Sequence, residues 1–167
     1  IFIGGGGSLE ARDGGLVEFA SGWIGLPGGG EIHAYGVHTP TRKRSLIHFH
    51  EGLVLGWLNE AYSTLTITNG AKVLVEEDAQ FGGLSEYFVA IHTEKDGFSA
   101  ELEVTGLTEI NAGQVVVFPG GLLRTKSAIL GGNDDVDAAL VINTDPIFPG
   151  WIAVGDIRIG SSTGPAE

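Results

Sequence analysis

The chain has 167 residues, and its 21 Asp and Glu residues outnumber nine Lys and Arg residues to give a formal net charge of −12. With 43% hydrophobic residues, it can bury a core, which excludes a disordered chain. So few cations exclude a broad nucleic-acid-binding surface, and the lack of Cys excludes disulfides and thiolate metal sites.

Glycine is unusually abundant, at 28 residues, and it occurs in clusters rather than at a fixed period. Clustered glycines are typical of tight turns between short strands. No apolar run reaches the roughly 18 residues that a membrane-spanning helix requires, so we expect no contact with a membrane.

The chain begins with a short apolar stretch that is followed by a run rich in Gly and Ser. We interpret 1–15 as a flexible N-terminal arm, 16–160 as a single β domain and 161–167 as a polar tail. A flexible linker of about ten residues spans roughly 16–19 Å on average, so we expect the arm to reach a neighbouring subunit.

Short strands are predicted over 16–26 and 31–37, with a glycine loop between them. The basic triplet at 42–44 follows Pro40, and this combination indicates an exposed loop.

The segment 46–50 alternates in the manner of a half-buried strand. Ile47 and Phe49 fall on one face, and His48 and His50 fall on the opposite face. Because two imidazoles on one strand face can bind one metal ion, His48 and His50 are the candidate metal ligands. Nothing near them in the sequence identifies a third or fourth ligand.

One helix is predicted over 51–65. Apolar residues recur there at helical spacing and form one stripe, namely Leu53, Val54, Trp57, Leu58, Ala61 and Leu65. Two glycines within the segment disfavour a helix by about 1 kcal/mol each. Two packed strands give a similar pattern, so that alternative stays open.

Two dipeptides predict tight turns. Asn69-Gly70 lies between two alternating, β-rich runs, and both residue types tolerate the positive φ of a type I′ turn. We therefore predict a β-hairpin there. Asp96-Gly97 has the same chemistry and precedes the next strand.

The stretch 98–118 organises the predicted core. Alternate residues from Phe98 to Val104 are apolar, which predicts a strand with one buried face. A break with one helical turn is predicted at 108–112, and the apolar run at 115–118 is typical of a strand buried on both faces. With roughly nine or ten strands and one helix, the fold class is mainly β, a β-sandwich or barrel with one packed helix.

Other chemical motifs are incomplete. Asn133, Asp135 and Asp137 alternate like the oxygen ligands of a calcium loop, but the pattern does not continue, and we interpret it as a solvated acidic turn. No Ser-His-Asp set and no phosphate-binding loop can be assigned. We therefore predict a protein that is not an enzyme, with no catalytic residues and no cofactor.

A run that contains Gly113, Pro119, Gly121 and Arg124 resembles the second sequence box of the cupin family of β-barrels. The two histidines resemble the start of the first box. In cupins a histidine ligand occupies the position where this chain has Arg124. The resemblance implies an alternative function, a cupin-like β-barrel that binds a metal or a small ligand.

Residues 70–112, with the strand-like segment GFSAELEVTGLTEINA at their end, resemble virion structural proteins of tailed phages, in particular tail tube subunits. The resemblance implies a small β-sandwich with one flanking helix, acting as a structural subunit of a symmetric assembly in the virion. Its partners would be copies of itself in a ring, tube or filament and other virion proteins, with no specific nucleic-acid binding. An extracellular filament or surface-layer subunit is a second alternative with the same assembly logic.

Overall fold

The computed structural model describes residues 1–56, 62–82, 87–93, 98–131, 138–143, 151–153 and 155–159. These residues form 19 strands and no helix. The first ten strands are β1 (Phe2–Ile3), β2 (Gly7–Arg12), β3 (Leu16–Phe19), β4 (Gly22–Ile24), β5 (Gly30–Tyr35), β6 (Val37–His38), β7 (Lys43–Arg44), β8 (Leu46–Phe49), β9 (Leu53–Leu55) and β10 (Ser63–Thr68). The others are β11 (Lys72–Val75), β12 (Ala79–Phe81), β13 (Tyr87–His92), β14 (Ala100–Ile110), β15 (Gly113–Val117), β16 (Gly121–Leu130), β17 (Ala138–Ile142), β18 (Trp151–Ala153) and β19 (Ile157–Ile159).

The strands form three columns, and within each column neighbouring strands pair in parallel. Column 1 is a six-stranded sheet of β2, β5, β10, β13, β15 and β17. The larger sheet contains the other two columns: column 2 has β3, β8, β11 and β18, and column 3 has β1, β4, β9, β12 and β19. The long strands β14 and β16 belong to both columns 2 and 3.

The chain passes through the columns in a fixed order. β2, β3 and β4 occupy columns 1, 2 and 3, and the same order recurs in β5, β8 and β9 and in β10, β11 and β12. The fold is therefore a parallel β-solenoid, in which each coil stacks on its neighbours. The antiparallel ribbon of β6 and β7 is an insertion in the second coil.

The prediction of a mainly β fold is confirmed, but the sandwich or barrel is wrong, and so is the count of nine or ten strands. Rules based on local sequence pair each strand with its neighbour along the chain, as in antiparallel folds. Here each partner lies one coil away, and the parallel ladder makes the buried runs continuous.

Inward-facing side chains stack in register through the coils. In column 1, Ile32, Leu65 and Val89 are successive register partners, and all three are fully buried. In column 2, Val73 and Leu102 are buried partners in the same way. Burial of each such side chain contributes about 1.5–3 kcal/mol, so the stacks form the core. The buried face predicted for 98–104 is confirmed at Ala100, Leu102 and Val104, whereas Phe98 precedes β14 and is 43% exposed.

The helix predicted over 51–65 is wrong. The structure has β9 (Leu53–Leu55) in column 3 and β10 (Ser63–Thr68) in column 1, while residues 57–61 lie outside the described part of the chain. Leu53 and Leu55 are buried and Val54 is half-buried, which is strand alternation. The apolar residues of two short strands in different columns contributed to the spacing that resembles a helical stripe.

The turn at Asn69 and Gly70 has the predicted backbone, with φ values of 51° and 84°. The hairpin is nevertheless wrong, since β10 pairs with β5 and β13, and β11 pairs with β8 and β14. The turn carries the chain from column 1 to column 2. A side chain at Gly70 would also meet Cβ of Phe98 at 2.7 Å. The similar Asp96-Gly97 dipeptide lies outside the described residues.

Two further segments differ from the sequence interpretation. Residues 1–15 contain β1 and β2, which pair with β4 and β5 of the same chain, so this segment is part of the solenoid. The break predicted at 108–112 is correct only for Asn111 and Ala112, which separate β14 from β15, because β14 continues to Ile110. A register shift also occurs between Val104 and Leu107, where the long strand passes from column 2 to column 3.

Candidate metal centre

Three strands of column 2 bring four polar side chains together on the outer face of the solenoid. Glu18 in β3 is the direct register partner of His48 in β8. His50 follows β8, and Glu76 follows β11, the next strand of the column. Because Ile47 is buried, the alternate residues of β8 project outward. The column thus assembles side chains from three successive coils.

Glu18 lies beside both imidazole rings. Its Oε1 is 3.6 Å from Nδ1 of His48 and 3.6 Å from Nε2 of His50. The ring centroids are 4.0 Å apart, with an angle of 47° between the ring planes. One nitrogen or oxygen from each of the three residues lies within 4.8 Å of the other two. The prediction that both histidines share one face is therefore confirmed.

Glu76 contacts the opposite nitrogen of each ring. Its Oε2 is 3.3 Å from Nδ1 of His50, within hydrogen-bond geometry. Its Oε1 is 3.1 Å from Nε2 of His48, but the angle of this contact leaves that buried nitrogen without a hydrogen bond among the described residues. A small rotation of the Glu76 carboxylate would turn this second contact into a hydrogen bond.

The cluster is shielded on one side and open on the other. Only 12% of the His48 side chain is exposed, whereas the side chains of His50, Glu18 and Glu76 are about half exposed. The hydrogen bond with His50 holds the pKa of the Glu76 carboxyl below its usual value, with a contribution from His48, while desolvation opposes the shift. Glu76 is thereby kept ionised and able to accept from both rings.

Two imidazoles and a carboxylate are a donor set for divalent transition metals, because imidazole nitrogen suits Zn²⁺, Cu²⁺, Fe²⁺ and Ni²⁺ better than Ca²⁺ or Mg²⁺. The half-exposed side of the cluster leaves space for water as a further ligand. The strands fix the Cα positions of Glu18 and His48 through the ladder, so the donors are held near one another before any ion arrives.

Sequence reasoning missed Glu18 and Glu76. The signal was an internal repeat of LVEFA at 16–20, LIHFH at 46–50 and KVLVE at 72–76, which the structure places in register. The intervals are unequal, since the repeats start 30 and then 26 residues apart. A search for a fixed period does not find them.

The cupin-like barrel is wrong, since the strands form a parallel solenoid. The register of column 2 runs from His48 through Leu74 and Glu103 to Arg124 in successive strands. Two strands therefore lie between His48 and Arg124, so the two positions of the cupin-like pattern are not neighbours. Nε of Arg124 instead donates to Oε1 of Glu101 at 3.3 Å. The acidic turn at 133–137 lies outside the described residues.

A second feature is an open apolar depression of about 550 Å³ on the outer face of column 1. Phe88 and Phe118 line it, and His92 packs edge-on against Phe118 with ring centroids 5.9 Å apart. The remaining lining residues are Thr66, Ala90, Thr93 and Pro119. This surface offers apolar contact rather than converging polar groups.

No family model, curated protein or solved structure matches the chain. Within the part of the chain that the structure describes, no helix is long and apolar enough to cross a membrane.

Proposed function

We propose that this chain is a non-enzymatic structural module of an elongated assembly, in which copies stack end to end, in the tail or another part of a tailed-phage virion. The observation that carries the proposal is an open core at the last coil that the structure describes. The alternative setting is an extracellular filament or surface layer, whose subunits would also stack end to end.

The open core is visible in three isoleucines of the last coil. Ile142, Ile157 and Ile159 continue the inward-facing stacks, yet 37%, 47% and 75% of their surfaces are exposed. Their register partners in the preceding coil include Val117, which is fully buried, and Ala128, which is 5% exposed. A further coil of matching shape would bury these side chains, at about 25 cal/mol per Å² of apolar area.

The first coil offers a complementary surface. At this end of the solenoid β1, β2 and β3 each have one described partner. β1 pairs with β4 of the first coil, and β2 and β3 pair with β5 and β8 of the second. The other edge of each strand presents free backbone donors and acceptors that another parallel strand can pair with. Phe2 and Leu16 add apolar surface there, with 67% and 48% exposure.

Stacking the first coil of one copy on the last coil of another continues all three columns in the same parallel sense. This contact joins two different surfaces, and repetition of such a head-to-tail contact gives an open filament or a ring. The net charge of −12 supports the proposal further, because an acidic subunit does not retain nucleic acid that passes along it.

Light scattering and negative-stain microscopy over a range of protein concentrations test this proposal. We expect filaments or rings for the unmodified chain and their loss for Ile159→Lys, which places a charge on the stacking surface. Tyr62→Lys is the matched control, because Tyr62 is also exposed (58%) but precedes a strand in the middle of the solenoid. A chain that stays monomeric at every concentration overturns the proposal.

The setting is tested separately. Genes for other virion proteins beside the gene of this chain support the phage assignment, whereas genes for secretion or cell-surface proteins support the extracellular one.

A further inference from the structure

We propose that Glu18, His48 and His50 bind one divalent transition-metal ion of the Zn²⁺ class, and that Glu76 orients the two imidazoles from outside the coordination shell. The proposal rests on the side-chain cluster of column 2 and is independent of end-to-end assembly.

The spacing of the donors fits a tetrahedral centre. Metal–ligand bonds of 2.0–2.2 Å place tetrahedral ligand atoms about 3.3–3.6 Å apart. Oε1 of Glu18 lies 3.6 Å from both Nδ1 of His48 and Nε2 of His50. The two distances to Glu18 therefore already match a tetrahedral centre. All three donor atoms lie within 4.8 Å of one another, so closure of the two imidazole nitrogens to the same spacing would complete the set around one ion.

The position of Glu76 distinguishes this cluster from a set of surface ion pairs. A metal-bound histidine ordinarily donates its other N–H to a carboxylate or carbonyl, which fixes its tautomer and ring orientation. Glu76 lies 3.3 Å from Nδ1 of His50 and 3.1 Å from Nε2 of His48, the two nitrogens that face away from Glu18. Glu76 is hydrogen-bonded to His50, and a small rotation of its carboxylate would complete a hydrogen bond with Nε2 of His48. The lone pairs of Nδ1 of His48 and Nε2 of His50 are then left for the ion.

Backbone hydrogen bonds between strands hold the residues that carry His50 and Glu76. The amide of His50 donates to the carbonyl of Phe19 at 2.9 Å, and the amide of Glu76 donates to the carbonyl of Phe49 at 3.0 Å. These bonds extend the ladder beyond β3, β8 and β11 to the residues of the cluster. An ion bound here joins β3 of the first coil to β8 of the second, and Glu76 extends the contact to the third. Metal binding therefore stabilises the solenoid.

Titration calorimetry of the untagged full chain with ZnCl₂, after removal of metal with a chelator, tests the proposal. We expect one ion per chain, and a rise in Tm of about 5–10 °C when free Zn²⁺ is a hundredfold above Kd. Co²⁺ provides a second readout, because coordination in a low-symmetry site strengthens its visible absorption. CaCl₂ and MgCl₂ are expected to change neither the heat nor the Tm.

Variants assign the site. His50→Gln and Glu18→Gln alter half-exposed side chains, so they should fold normally and lose saturable binding, and His48→Gln should do the same. Glu76→Gln should keep one-to-one binding with an affinity lower by about 10- to 100-fold.

The matched control is His33→Gln. His33 also contacts a carboxylate, with Nε2 3.1 Å from Oε2 of Glu31, but no second imidazole contact is described for that pair. Unchanged binding in this variant, together with its loss in the ligand variants, supports the proposal. Absence of saturable Zn²⁺ binding by the unmodified chain, or binding that survives His50→Gln and Glu18→Gln, overturns it.

Discussion

Arg44 is the side chain whose loss tests the packing of the insertion against the solenoid. It lies in β7, within the ribbon that lengthens the second coil. Its Nε donates to the carbonyl of Gly70 at 2.6 Å, and its Nη2 donates to the carbonyls of Ala71 and Ser99 at 3.2 and 2.6 Å. Its Nη1 donates to Oε2 of Glu101 at 3.0 Å. One guanidinium therefore joins the second coil to the third and fourth.

Arg44→Met should lower the free energy of unfolding by about 3 kcal/mol. Removing one partner of a buried ion pair costs roughly 3–5 kcal/mol because the other charge stays buried, and Glu101 is only 8% exposed. We take the lower end of this range for two reasons. Arg44 is itself 29% exposed, and Glu101 keeps contacts with Arg124 at 3.3 Å and Lys72 at 3.9 Å.

Urea denaturation followed by circular dichroism measures the loss, and a Tm lower by about 6–12 °C should accompany it. Arg42→Met is the matched control, because Arg42 is exposed and its replacement should change stability by no more than about 0.5 kcal/mol. The double variant with Glu101→Met should recover part of the loss, since no unpaired carboxylate remains. A loss below about 1 kcal/mol for Arg44→Met would refute the inter-coil role of this side chain.

Three further predictions concern the core and the turns. Leu102→Asp buries a charge and should unfold the chain, as measured by circular dichroism. Glu103→Lys changes a side chain that is 26% exposed, and it should lower the free energy of unfolding by at most about 1 kcal/mol. Equal melting curves for the two variants would show that the strand phase is wrong. Gly82→Ala should lower the free energy of unfolding in urea by more than about 2 kcal/mol, because φ is 78° and a Cβ would lie 2.6 Å from backbone atoms of Ala112. Gly36→Ala should lower it by about 1 kcal/mol, because φ is 69° but no atom lies near the added Cβ. Tyr87→Phe should leave the Tm unchanged or raise it. The Tyr87 hydroxyl is buried, which raises its pKa, and it has no hydrogen-bond partner among the described residues, so its removal also removes a desolvation cost. A marked fall in Tm would indicate an ordered partner.

Local burial was predictable from the sequence, because alternation reflects which face of a strand is dry. The phases of 46–50 and of the strand around Leu102 both agree with the structure. The apolar run at 115–118, predicted as a strand buried on both faces, is confirmed for 115–117, where Val115 and Val117 are fully buried and Val116 is 7% exposed. Phe118 follows the strand and is half-buried. Such runs are typical of parallel sheets.

Strand pairing was not predictable by the same reasoning. Asn69 and Gly70 adopt the backbone that a hairpin turn requires, yet the flanking strands pair with other coils. The residue types of a turn indicate that the chain changes direction, but they do not determine which strand pairs with which. The coils also differ in length: 30 positions separate Leu16 from its partner Leu46, but 21 separate Glu101 from its partner Leu122. An irregular period hides a repeat architecture that a regular one reveals.

The basic triplet illustrates how tertiary context changes a local interpretation. Charge and the nearby proline indicated an exposed loop, and Arg42 and Lys43 are exposed. Arg44 instead turns inward along the insertion and contacts Glu101, a residue 57 positions away. Glu101 has the outward phase of its strand, and it is buried where Arg44, Arg124 and Lys72 contact its carboxylate. No local pattern carries that information, since both charges are unfavourable in the interior until they meet.

The two proposals can be tested separately through His50 and Ile159, although Glu18 lies in β3, whose other edge belongs to the proposed stacking surface. The cluster of Glu18, His48 and His50 lies on the outer face of column 2 near the first coils, whereas the exposed isoleucines lie in the last coil. In a solenoid each coil contacts only its neighbours, so a local change acts mainly on adjacent coils. A variant that loses metal can therefore still stack through Ile159, and a variant that no longer stacks can still bind metal. If His50→Gln or Ile159→Lys removed both properties, the expected cause would be loss of the shared fold, which circular dichroism reports directly.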